Sequence, residues 1–143
     1  NFENPRNVYF YIHIDKLVDS KPFLEAAKDI SNIHFISDEK REEGVWCGIG
    51  LVKATINTLN QIITDDRKGY CILLSGQDYP IKNNLYIKTF LLKNYGLNFI
   101  ETFDIPTENW FHKGMDRINN YKINYEALVG CYNFLFTICT III

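Results

Sequence analysis

His13-Ile14-Asp15-Lys16 closes an apolar run, and its charged pair is the first place in this sequence where chemistry could be done. An Asp at a strand exit can accept hydrogen bonds from a ribose hydroxyl or a base edge, and a neighbouring Lys can face a phosphate. His13 alternates with Ile12 and Ile14, which reads as a satisfied core histidine rather than a base. Gly44-Val45-Trp46-Cys47-Gly48-Ile49-Gly50 is a glycine-rich turn ahead of a helical pattern. Glycines allow close backbone approach, a helix N-terminus favours an anion, and Trp46 can stack on a base or pack in a core. The most distinctive stretch is Ser75-Gly76-Gln77-Asp78-Tyr79-Pro80-Ile81-Lys82, where a small-residue turn lifts Asp78 and Tyr79 off the end of an apolar run. Glu101 ends a fourth such run, Leu97-Asn98-Phe99-Ile100.

The elements that must carry these residues alternate between strand and helix patterns, which predicts an α/β layered fold. Val8 to Ile14 is a continuous β-former run of the kind buried on both faces. Asp19-Ser20-Lys21-Pro22 starts a helix carried by Phe23, Leu24, Ala27 and Ile30, and Asn32 to Ile36 is a second strand. Leu51, Ala54, Thr55, Thr58, Leu59, Ile62 and Ile63 mark a long amphipathic helix. Tyr70 to Leu74 is a third strand, Asn83-Asn84 caps a helix that Gly96 stops, and Leu97 to Ile100 is the fourth strand. Strands ending at Asp15, at Ser75 leading to Asp78, and at Glu101 suggest one polar cleft, since the carboxyl ends of parallel strands face a common crevice. Acids that merely terminate strands would leave the same pattern.

Composition sets the outer limits. The 143 residues, 47% hydrophobic and 22% charged, suit one folded domain, and a net charge of -2 with interspersed signs argues against a nucleic-acid partner. Cys47, Cys71, Cys131 and Cys139 form no C-x-x-C pair, so buried reduced thiols are expected and no metal site. The helix-opening turn lacks the Lys-Ser/Thr of a P-loop and the full G-x-G-x-x-G, which counts against an unrelated nucleotide-binding protein such as a small kinase. The apolar run from Leu128 to Ile143 is shorter than the ~20 residues of a membrane span. It reads as a core segment cut off from its continuation, giving residues 1–125 as a partial domain and 126–143 as an apolar tail. The Asn-, Lys- and Ile-rich composition leans toward a bacterial source.

Taken in order, Tyr11-Ile12-His13-Ile14-Asp15-Lys16, Trp46-Cys47-Gly48, Leu74-Ser75-Gly76-Gln77-Asp78-Tyr79-Pro80-Ile81-Lys82 and Asn98-Phe99-Ile100-Glu101 resemble the core 2/I-branching β-1,6-N-acetylglucosaminyltransferases and the related peptide O-xylosyltransferases. The resemblance spans residues 7–121, and the Ser-Gly-x-Asp-Tyr-Pro-Ile-Lys block is its most specific element. It implies a GT-A-like (Rossmann-like), mostly parallel sheet with flanking helices, incomplete at both ends. It also implies inverting transfer of N-acetylglucosamine or xylose from a UDP-sugar donor to a glycan or other hydroxyl acceptor. No cofactor or metal is implied, and the chain has no Asp-x-Asp. By the same resemblance Asp15, Lys16 and Trp46 contact the nucleotide, Ser75, Asp78 and Tyr79 line the donor-sugar cleft, and Glu101 binds the acceptor. Arg117, with His112 and Lys113, loosely matches the basic acceptor loop.

Three features of the family pattern are missing: a preceding strand ending in His-Asn, the general-base Glu, and the Arg and Lys that neutralise the leaving diphosphate. The base and those cations are expected beyond Ile143. Inverting transfer needs a carboxylate for the acceptor proton and positive charge on the departing diphosphate, so the chain alone is expected to be inactive. The alternative is a non-catalytic nucleotide- or glycan-binding α/β module. The implied compartment is the Golgi lumen for a eukaryotic source and the cytoplasm or membrane for a bacterial one, with membrane contact left to segments outside the chain.

Overall fold

The computed structural model describes residues 8–45, 48–119 and 137–142. Its strands are β1 (Tyr9–Ile14), β2 (Ile33–Phe35), β3 (Cys71–Ser75) and β4 (Thr137–Ile142), and its helices are α1 (Lys21–Ala27), α2 (Gly50–Thr64), α3 (Asn84–Lys93) and α4 (Asp116–Asn119). Two compact units result, residues 1–93 with 132–143, and residues 94–131.

In the first unit the sheet order is β2-β1-β4-β3. β1 pairs with β2 in parallel, whereas β4 runs antiparallel to both β1 and β3. Three strands therefore point one way, and the mostly parallel expectation becomes a mixed sheet because the apolar C-terminal segment enters as an antiparallel inner strand. The expected fourth strand, Leu97 to Ile100, is not one: it adopts no strand conformation, and Leu97, Phe99 and Ile100 are exposed. A four-residue segment becomes a strand only with a neighbour to pair with, and among the described residues the place between β1 and β3 belongs to β4.

β1 is an inner strand, and its side chains are buried or half-buried on both faces, in keeping with its largely apolar sequence. Tyr11 packs against Ile62, so by the two-residue alternation of a strand Tyr9, Tyr11 and His13 face α2. On α2, the buried positions Ala54, Thr58 and Ile62 recur every four residues and face the sheet. The Thr58 hydroxyl donates to the Ala54 carbonyl at 2.8 Å, which lets a polar side chain sit fully buried there. The end of α2 is tied to β1 by the Tyr11 hydroxyl, which donates to Asp65 Oδ2 at 2.6 Å, while Gln61 Nε2 donates to Asp65 Oδ1 at 2.9 Å. His34 of β2 stacks on Tyr11 with centroids 4.9 Å apart, and the Arg67 guanidinium lies 3.8 Å from the Tyr9 ring centroid.

Local signals set the helix ends. Pro22 lies in the first turn of α1, and Asp19 Oδ1 accepts from the Lys21 amide at 3.1 Å. Asn83 Oδ1 accepts from the Tyr86 amide at 2.8 Å, the side-chain cap anticipated for α3, and Gly96 follows at φ +90°.

Candidate functional site

The carboxyl end of β1 runs into a segment that is zipped to residues 41–44. Asp15 is 7% exposed, and both carboxylate oxygens serve the backbone. Oδ1 accepts from the Leu17 amide at 2.8 Å and Oδ2 from the Gly44 amide at 2.7 Å. A carboxylate held this way fixes the loop it starts, and it faces protein amides rather than solvent. Lys16, next in sequence, is exposed, and its amide donates to the Glu42 carbonyl at 3.1 Å. His13 is 2% exposed, and its Nε2 accepts from the Glu42 amide at 2.8 Å. Burial pushes its pKa below the ordinary 6.5, so the imidazole stays neutral and acts as a core acceptor, in keeping with its place in the strand.

Arg41 joins the same knot, and sequence reasoning passed over it. Its Nε donates to the Ile14 carbonyl at 3.0 Å and its Nη2 to the Asp15 carbonyl at 2.6 Å. Nη2 also reaches the Val18 carbonyl, and Nη1 pairs with Asp38. In sequence it stands in the polar stretch Ser37 to Glu43, which reads as a solvated loop. Its three carbonyl partners lie more than twenty residues away, so no local spacing announces them.

The glycine-rich turn works partly on the protein itself. A Cβ on Gly50 would lie 1.9 Å from the Glu43 carbonyl oxygen, so the first residue of α2 must be a glycine for the helix to start against this loop. Trp46 and Cys47 lie outside the described residues.

At the end of β3 the chain reverses on its own side chains. Asp78 Oδ2 accepts from the Ser75 amide at 2.6 Å, the Asp78 amide donates to the Ser75 carbonyl at 3.2 Å, and the Ser75 hydroxyl accepts from the Gln77 amide at 3.3 Å. Ser75 and Asp78 are exposed, and Tyr79 is 87% exposed at the tip. Ile14 pairs with Thr137 and Ser75 with Ile138, so the ends of β1 and β3 flank the start of β4 at one sheet edge. Two strand spacings put them about 10 Å apart.

Glu101 and Arg117 belong to the second unit. Glu101 is exposed outside any strand or helix. The Arg117 guanidinium lies 4.2 Å from the Trp110 ring centroid, and Phe103 meets Trp110 edge-on at 4.9 Å. Gly114, at φ +77°, lies against that ring: a Cβ there would approach Trp110 to 2.9 Å. Sequence and structure thus bring Asp15, Lys16, Ser75, Asp78 and Tyr79 to one sheet edge, with Glu101 and Arg117 in a separate unit. Among the described residues no three His, Cys, Asp or Glu side chains gather as metal ligands, and no helix is long and apolar enough to cross a membrane.

Comparison with known proteins gives this geometry a context. The chain is 35% identical over 102 residues to a beta-1,3-galactosyl-O-glycosyl-glycoprotein beta-1,6-N-acetylglucosaminyltransferase 4 of Danio rerio, covering 68% of this chain and 23% of that protein. It is 26% identical over 115 residues to xylosyltransferase 1 of Homo sapiens, covering 77% and 12%. To xylosyltransferase oxt of Drosophila melanogaster it is 28% identical over 117 residues, covering 79% and 13%. The chain therefore spans less than a quarter of the length of these relatives. All three are animal proteins, which lends no support to the bacterial source suggested by composition. No solved structure matches. The sequence model of the Core-2/I-Branching enzyme family matches residues 1–137, and the chain belongs to that family.

Proposed function

We propose that this chain forms the donor-nucleotide part of a GT-A-like glycosyltransferase that moves N-acetylglucosamine or xylose from a UDP-sugar to a hydroxyl of a glycan or similar acceptor, with inversion and without a metal. The observation that carries the reading is the shared sheet edge: the β1 exit with Asp15 and Lys16, and the β3 exit with Ser75, Asp78 and Tyr79, flank one inner strand. Ligands of α/β sheets bind outside the carboxyl ends of such strands. In this reading the Asp15 loop presents its backbone and Lys16 to the nucleotide, because the carboxylate itself is taken up by Leu17 and Gly44. Trp46 stacks on the base, the β3 turn borders the donor sugar, and Glu101 and Arg117 serve the acceptor. We assign no residue of this chain as the general base, so nucleotide binding without sugar transfer is the behaviour expected of the isolated chain.

Calorimetric titration with UDP, UDP-N-acetylglucosamine and UDP-xylose, in EDTA and then with Mg²⁺, tests this. Saturable binding that EDTA leaves unchanged is expected, and Trp46→Ala should weaken it about tenfold, the worth of one base–aromatic stack. A folded chain indifferent to all three nucleotides would refute the assignment.

A further inference from the structure

We propose that Arg41 is a positioning residue for the donor nucleotide: its buried guanidinium ties three carbonyls of the β1 exit together and thereby sets the loop that carries Asp15 and Lys16. This rests on the donor reading above. Arg41 is 7% exposed, and a guanidinium carries N–H donors and no acceptor, so away from water its N–H groups must find acceptors in the protein. They find the carbonyls of Ile14, Asp15 and Val18, and the Asp38 carboxylate.

The choice of carbonyls is what marks the role. Ile14 and Asp15 lie just before Lys16, and Val18 lies two residues after it, so the guanidinium holds the stretch around Lys16 from both sides. Of these partners only Ile14 has a core side chain; Asp15, Val18 and Asp38 lie outside the buried apolar set. Three further bonds run alongside: the Glu42 amide to His13 Nε2, the Lys16 amide to the Glu42 carbonyl, and the Gly44 amide to Asp15 Oδ2. Residues 41–44 and 13–18 are thereby held in one register. A lysine would keep the charge but place all its donors on one atom, and it cannot reach three diverging carbonyls as the planar fork does.

The test compares Arg41→Lys with Tyr11→Phe in the full chain. The second variant loosens β1 from α2 at the Asp65 contact and touches nothing at the β1 exit. Arg41→Lys should weaken UDP binding about tenfold and speed amide exchange at Leu17 and Gly44, whereas Tyr11→Phe should leave UDP binding within about twofold. A folded Arg41→Lys that binds UDP like the wild type overturns the proposal alone. So does Tyr11→Phe weakening UDP binding as much as Arg41→Lys. A folded wild type that binds no UDP removes the donor reading, and this proposal with it. If Arg41→Lys does not fold, Asp38→Ala carries the test, since that carboxylate is 75% exposed and orients the guanidinium from outside. Weaker UDP binding at unchanged fold is then expected, and unchanged binding overturns the proposal.

Discussion

His13 must stay neutral for its Nε2 to accept the Glu42 amide, and burial lowers its pKa to keep it so. The sign follows from linkage: below 6.5 the unfolded imidazole takes up a proton that the folded one refuses. The stabilisation is complete above that pH and is lost as the pH falls toward the depressed folded value. Urea midpoints should therefore decline as the pH drops below the ordinary histidine range, and His13→Gln, whose amide oxygen can accept the same N–H, should flatten that decline. Asp65 contributes in a separate window. The Tyr11 hydroxyl donating to it holds its pKa below 3.8, so its share persists above that pH and is lost only in stronger acid. Asp15→Ala removes the side-chain acceptors of two backbone amides in a buried place and should cost about 2–3 kcal/mol in urea denaturation. A cost within about 0.5 kcal/mol, the range of ordinary surface changes, would mean the carboxylate does not hold the loop.

Between elements, the tightest joint is where α2 begins. Gly50→Ala forces a Cβ against the Glu43 carbonyl and should cost about 1–3 kcal/mol, or push the start of the helix away from the loop. The other end of α2 is held by the Tyr11–Asp65 bond, and Tyr11→Phe should lower stability by about 1.5–3 kcal/mol, the range for a bond to a charged acceptor. Both are read from denaturation midpoints. Much of this framework was legible in advance. β1 and β3 announce themselves as short runs rich in β-formers, and α2 and α3 because a surface helix repeats its buried positions every three or four residues. Leu97 to Ile100 misled, since a short apolar run says nothing about whether a strand is available to pair with it. Arg41 was invisible for a related reason: its role lies in contacts across 23 to 27 residues, and its immediate neighbours are polar.

For the molecule as a whole, the family is established and the site is a reading built on it. The apolar C-terminal run reads as core material in the sequence, but the placing of Thr137–Ile142 as an antiparallel strand between β1 and β3 is a matter of pairing that composition does not encode. That insertion brings the β1 and β3 exits to the two flanks of one strand, the arrangement on which the proposed donor site rests. Amide chemical-shift mapping during a UDP titration tests this most directly. Saturable shifts are expected at residues 15–18, 41–45 and 75–79, with Tyr9, His34 and Arg67, away from the β1 exit, unmoved. Shifts centred on those three residues, or none in a folded chain, would contradict the donor reading.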